Sequence, residues 1–134
     1  MGVVVGAALC PFLGWLAVSC VSAQRVSREF VLAMQTGHSE EARALAGEAL
    51  QRSFGPANDD PARTLRLLRL VPSPDVGVVQ FGLRGDAIGV PFGCFDGQLA
   101  DGKRYWIVAE KRGGPWKIVD VRSDAMPSSC EGSE

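Results

Sequence analysis

The residues whose types and spacing could do chemistry are few: four cysteines, a single histidine, a spaced row of arginines and a scatter of aspartates. Cys94 and Cys130 have no metal-site spacing between them, and His38 is the only imidazole available to help, which argues against zinc. What remains for these thiols is a disulfide in an oxidising compartment, or two unpaired thiols in a reducing one. A Cys94 to Cys130 bridge would pin the C-terminal tail onto the sheet and contribute about 4 kcal/mol by restricting the unfolded chain. Cys10 and Cys20 lie in an apolar stretch and are read with it.

The acids and bases form no catalytic set. No serine, histidine and aspartate fall in a hydrolase arrangement, and Gly113-Gly114 has no helix after it to present amides to a phosphate, so it reads as a turn. His38 with Glu40 is a weak acid/base pair at an interhelical turn, where a surface position is expected. Asp86, Asp96, Asp101 and Asp120 mark turns or strand ends, and a catalytic carboxylate among them would need burial to raise its pKa. Arg63, Arg66 and Arg69, at threefold spacing, would meet lipid phosphates if the domain lay close to its membrane; a solvated helix face is the plainer reading. Tyr105, Trp106 and Trp116 read as sheet-core and hairpin aromatics, because no basic groove accompanies them as a stacking platform needs. No catalytic residue, metal ligand or cofactor is assigned.

The elements that must position these residues are legible in the hydrophobic pattern. Val26, Phe30, Val31 and Met34 recur at helical spacing up to Gly37. Ser39 offers an N-cap with Glu40 and Glu41 behind it, and Ala42, Leu45, Ala46, Ala49, Leu50 and Phe54 form an amphipathic stripe that Gly55-Pro56 stops. Pro61 opens a short third helix carrying Leu65 and Leu68. From residue 76 the pattern turns to β, with strands expected over 76–83, 87–95, 105–110 and 116–121 and turns at Gly85-Asp86, Asp101-Gly102 and Gly113-Gly114. Asp101-Gly102 is a two-residue hairpin signal. The expected architecture is α+β: an N-terminal apolar helix, two to three helices, then an antiparallel sheet of about four strands with one face on the helices.

Residues 1–24 carry no charged side chain, and the net charge of the whole chain is −1. That balance argues against nucleic-acid binding on bulk electrostatics. From Val3 to Ala23 the chain is apolar or small, long enough as a helix to cross a hydrocarbon core of about 30 Å. A signal peptide cut after Ala23 is the competing reading, since Val21 and Ala23 fit the positions before a cleavage site. The chain is therefore divided into 1–24, signal peptide or transmembrane anchor; 25–125, folded domain; and 126–134, polar tail. Membrane contact runs through 3–23 unless these are removed. Arg25 and Arg28 follow the segment, so the positive-inside rule read literally places the domain in the cytoplasm; Glu29 offsets them, and an extracytoplasmic domain is the preferred reading. A lipid anchor at Cys20 lacks a large aliphatic residue at Ala17, and Gly6 disfavours myristoylation at Gly2.

The run from Phe30 to Ala42, with Gly37-His38-Ser39-Glu40-Glu41-Ala42 at its centre, resembles the helix, "Gly-Asp-x-Glu-x-Ala" break and second helix that open small nuclear-transport-factor-2-like domains. Gly97-Gln98-Leu99-Ala100-Asp101-Gly102, Tyr105-Trp106-Ile107-Val108 and Gly114-Pro115-Trp116-Lys117-Ile118-Val119-Asp120-Val121 are similar to their last two strands, with a "Gly-x-Trp-Lys-Ile" phrase. His38 stands where the family has Asp. The resemblance, to an uncharacterised bacterial branch with an N-terminal signal or membrane segment, implies a curved, cone-like sheet with an apolar pocket, and in the family's enzymes a carboxylate and a Tyr or His projecting into it. A second resemblance is to membrane-anchored assembly factors of respiratory oxidases, whose Leu-Gly-x-Pro phrase is missing here.

The expected function is a non-catalytic, membrane-anchored or exported domain that binds a protein partner or a small apolar ligand, with a homodimer through the sheet as one form of partner. Its alternatives are an assembly factor of a respiratory complex and a small isomerase or hydrolase using the cone pocket.

Overall fold

The computed structural model describes residues 15–84 and 89–131. The first helix, α1, is Trp15–Gln35. Its buried residues Ser19, Cys20, Ala23, Ser27, Phe30, Val31 and Met34 recur at spacings of three and four, so one stripe faces the domain while Val18 and Val21 face out. The Ser27 hydroxyl satisfies itself inside this stripe by donating to the Ala23 carbonyl at 2.9 Å. The boundary expected between 24 and 25 thus falls inside a continuous helix, and from Trp15 onward the charge-free stretch forms the first turns of a domain helix rather than an all-round apolar one. No helix among the described residues is long and apolar enough to cross a membrane. Residues 3–14 of the expected anchor lie outside the described residues. Cys20 is disulfide-bonded and fully buried, which removes it as a lipid anchor.

Helix α1 ends as the pattern required. Gly37 takes φ +81°, and the amides of Gly37 and His38 return to the carbonyls of Met34 and Ala33 at 3.2 and 2.8 Å, the doubled closure that a left-handed glycine makes available. Ser39 is the first residue of α2, Ser39–Leu45, rather than its cap; His38 holds the cap position and no side chain caps the helix.

The single stripe expected from Ala42 to Phe54 is broken into α2, α3 (Glu48–Gln51) and a 3₁₀ turn, Arg52–Phe54. The break is tertiary in origin. Ala46 is extended and forms a parallel bridge to Ile118, and the Gly47 amide donates to the Ile118 carbonyl at 2.7 Å. A strand edge takes the backbone groups that a continuous helix would have used itself. Helix α4, Asp60–Leu68, starts as expected: Asp59 caps it by accepting from the Ala62 amide at 3.0 Å, with a proline in the first turn.

Four strands follow: β1 Gly77–Arg84, β2 Val90–Gln98, β3 Arg104–Lys111 and β4 Trp116–Arg122, in one antiparallel sheet of order β1-β2-β3-β4. Strand β2 lies three residues later in the chain than expected, and Gly85-Asp86 lies outside the described residues. Asp101-Gly102 does not make a two-residue hairpin. Leu99 is buried and its amide pairs with the Lys103 carbonyl at 2.7 Å, so the connection widens to five residues, with Gly102 at φ +92°.

One sheet face packs on the helices through Phe95, Tyr105, Ile107, Ala109, Ile118 and Val121, all fully buried with Phe30 and Val31 of α1. The other carries Cys94 and Val108, with Val79, Trp106 and Val119 beside them. The segment expected as a polar tail crosses this second face. It begins at a carboxylate hub: Asp60 accepts from the Thr64 hydroxyl at 2.9 Å and from the Ser123 and Asp124 amides at 3.2 and 3.3 Å, and Arg63 pairs with Asp124. It ends in a turn, Ser128–Cys130, where Cys130 is disulfide-bonded to Cys94, with their Cα atoms 5.3 Å apart.

Candidate functional site

The side chains that could do chemistry are distributed around three surface clefts, two strand edges and one buried hydroxyl. The first cleft, of about 470 Å³, lies between residues 72–77, the end of β2 and Arg104. Its carboxylates are spoken for: Asp96 is paired with Arg104 at 3.0 Å and Asp75 with Arg28 at 3.0 Å, and the Asp75 side chain is 77% exposed. Behind the wall of this cleft lies Tyr105, fully buried, with no hydrogen-bond partner for its hydroxyl. It stacks on Gly97, its cross-strand neighbour, where an added Cβ would come within 2.4 Å of the hydroxyl oxygen. Burial first, then the charges of Asp96 and Asp75, push the Tyr105 pKa well above the usual phenol range. Ionisation of the phenol is thereby disfavoured.

The second cleft, of about 570 Å³, separates the end of α1 from α2, with Leu32 and Leu45 on its walls and Glu29, His38 and Glu41 around it. The Thr36 hydroxyl gives its one proton to the Leu32 carbonyl at 2.8 Å. His38 Nδ1 lies 2.8 Å from the same oxygen. His38 is exposed, as expected, and among the described residues it makes no bond to a carboxylate. Among the described residues, no group of histidine, cysteine and carboxylates is arranged to hold a metal.

The remaining aspartates are structural. Asp101 accepts from the Lys103 amide at 2.9 Å and holds its turn. Asp120 bonds Arg122 at 3.0 Å; burial raises its pKa and the Arg122 hydrogen bond opposes that shift. Asp86 lies outside the described residues. The Arg63, Arg66, Arg69 row is split by the fold. Arg63 is drawn to Asp124 and the Asn58 carbonyl, Arg66 reaches the Ala57 carbonyl at 3.1 Å, and Arg69 makes no such bond. Arg66 and Arg69 border the third cleft beside Met34, so they lie at the opposite end of α1 from Trp15, about 28 Å along the helix. Contact between this row and lipid headgroups requires α1 to lie along a bilayer rather than stand on it.

The strand edges differ. The outer edge of β4 is covered by residues 44–47: Ala46 bridges Ile118, Gly47 bonds it, and Lys117 Nζ donates to the Ala44 carbonyl at 2.8 Å. The outer edge of β1 has no such cover; among the described residues no backbone hydrogen bond joins it to another segment. Residues 77–83 of β1 contain no charge and no proline, and Leu83 is exposed. The edge difference and the Asp60 hub escaped the sequence reading. The Asp-Asp-Pro run marked a helix start but nothing in it announced a carboxylate that would receive the chain from 64 residues away.

No protein-family model matches the chain, and no curated protein and no solved structure matches it either.

Proposed function

We propose that this chain is a non-catalytic α+β domain, exported or membrane-anchored by its charge-free N-terminal stretch, that works in an oxidising compartment by binding a protein partner. The observation that carries this reading is the unequal finish of the sheet: one edge is covered by residues 44–47, and among the described residues no backbone hydrogen bond covers the other. An unpaired edge strand free of charge from Gly77 to Leu83 offers a row of amides and carbonyls to an added strand, and soluble domains ordinarily blunt such edges with charge or proline. The occupant is an extended segment of the partner.

The other observations agree in direction. The inner face of the sheet, where a nuclear-transport-factor-2-like cone would hold a ligand, is taken up by Phe30, Phe95, Tyr105 and Ile107. The first cleft's carboxylates are paired with arginines, Asp96 with Arg104 and Asp75 with Arg28, and the Tyr105 hydroxyl lies buried behind its wall rather than lining it, so the carboxylate–tyrosine pair of an isomerase is not assembled there. A Cys94–Cys130 disulfide belongs to an oxidising environment. The succession of helices and then a four-strand meander supports the nuclear-transport-factor-2-like reading of the fold.

A photo-crosslinking side chain placed at Gln80 or Leu83 of the full chain, in its native membranes, tests the proposal against controls at Lys103 and Lys111. One discrete protein adduct from the β1 positions and none from the controls is expected, and an adduct of the chain with itself identifies the partner as a second copy. Equal labelling from all four positions, or no adduct from β1, overturns it.

A further inference from the structure

We infer that the third cleft, between α4, the 3₁₀ turn Arg52–Phe54 and the turn joining α1 to α2, binds a small anionic amphiphile: a phosphate or carboxylate head on a short apolar tail. The cleft holds about 270 Å³. Its floor is apolar, made by Met34, Phe54 and Leu65, and no carboxylate lines it. Around the floor stand hydrogen-bond donors open to a ligand: the hydroxyls of Ser39 and Ser53 and the guanidinium of Arg69 make no hydrogen bond or ion pair among the described residues.

The charge pattern singles out this place. Arg28, Arg63, Arg104, Arg112 and Arg122 are each paired with a carboxylate. The arginines around the third cleft are not. Arg43 lies over the Phe54 ring, 6.0 Å from its centre; Arg52 belongs to the 3₁₀ turn; Arg66 is steadied by the Ala57 carbonyl; and Arg69 is unengaged. Arg66 and Arg69 thus line the cleft and Arg43 stands over its Phe54 ring, none with a carboxylate partner among the described residues, in a chain whose net charge is −1. The two acids that open α4 are committed elsewhere, Asp59 to capping the helix and Asp60 to the amides of Ser123 and Asp124. An unpaired cationic cluster with free hydroxyls favours an oxyanion, which guanidinium forks bind by charge-assisted hydrogen bonds. The apolar floor beneath favours a ligand with hydrocarbon attached, because the tail removes that surface from water.

The site is separate from the β1 edge, and its test reads it separately. Hexyl phosphate titrated into the oxidised full chain, followed by amide resonances, is expected to give saturable shifts at Ser53, Gly55 and Arg69, while hexanol gives none and inorganic phosphate binds more weakly. Arg69→Gln is expected to weaken hexyl phosphate about tenfold, the effect of one charge-assisted bond, with an unchanged melting temperature. Arg112→Gln is expected to leave binding as it was, and Ser53→Ala serves if Arg69→Gln does not fold. Vesicles of phosphatidylglycerol and of phosphatidylcholine identify the source. Arg69-dependent binding to the first alone makes the anion a bilayer headgroup, and hexyl phosphate binding without vesicle binding makes it a diffusible amphiphile; either result supports the site. Equal binding of hexanol and hexyl phosphate, equal binding of inorganic and hexyl phosphate, or binding that ignores Arg69 and Ser53 overturns it.

Discussion

The inner face of the sheet packs large side chains against α1, with Phe30, Phe95, Ile107 and Ile118 all shut off from water, whereas the outer face buries the smaller Cys94, Val108 and Cys130, with Val79, Trp106 and Val119 half-buried beside them, under a strap of about nine residues. The first interface is held by apolar area. The second has too little area to hold a segment that contains Ser123, Asp124, Ser128 and Ser129, and it is held instead at two points, the Asp60 hub at one end and a covalent bond at the other. The difference shows how a small domain covers both faces of a sheet with one set of helices: where burial runs out, cross-links take over.

Substitutions separate the two modes. Phe30→Ala removes a fully buried ring from the inner interface and is expected to cost about 4 kcal/mol in denaturant unfolding of the oxidised protein. Replacing Cys94 and Cys130 together by serine is expected to cost about 3 kcal/mol and to change the near-ultraviolet signal of Trp106 under the strap, while the helix signal below the transition stays as it was. If the double variant instead loses its helix signal before any transition, the two faces are one unit and the comparison fails.

Two further substitutions test the inner face at its tightest point. Gly97→Ala drives a methyl group into Tyr105 and is expected to cost about 2 kcal/mol, little of it recovered in a Tyr105→Phe background, because the ring carbons Cζ and Cε2 lie 2.5 and 2.7 Å from the added Cβ and stay in place. Tyr105→Phe alone relieves a buried donor without a partner and is expected to stabilise by about 1 kcal/mol. A destabilising Tyr105→Phe would mean that the hydroxyl is engaged in solution. The smallest effect belongs to Asp120. Its folded-state pKa is raised by burial, so its contribution to stability is fully present below the unfolded-state pKa and is lost as pH rises through the folded one. Asp120→Asn is expected to flatten the slope of stability against pH in the carboxylate range.

The parts of this comparison that sequence could reveal were the local ones. Helical spacing from Val26 to Met34, the glycine after α1, the proline in the first turn of α4 and the branched residues of β1, β3 and β4 act within a few residues, and their elements stand close to where the pattern put them. Ala46-Gly47 shows the limit. Its stripe was helical in every local respect, and only the Ile118 backbone, brought alongside by the completed sheet, broke it. The same holds for the arginines: regular spacing made Arg63, Arg66 and Arg69 look equivalent, and the arrival of Asp124 beside the first made them different. Cys94 and Cys130 were legible as a candidate pair because only two cysteines lay outside the apolar stretch.

That bridge closes 36 positions of chain into a covalent ring that contains β3, β4 and the strap. A protease that cuts at the exposed turn around Gly113, or anywhere else in the ring, therefore releases nothing: the two pieces stay joined through sulfur and travel as one molecule until a reductant reaches Cys130, which is itself buried. In a compartment rich in proteases and poor in reductants, the closed ring lets the domain survive a nick with its sheet in place.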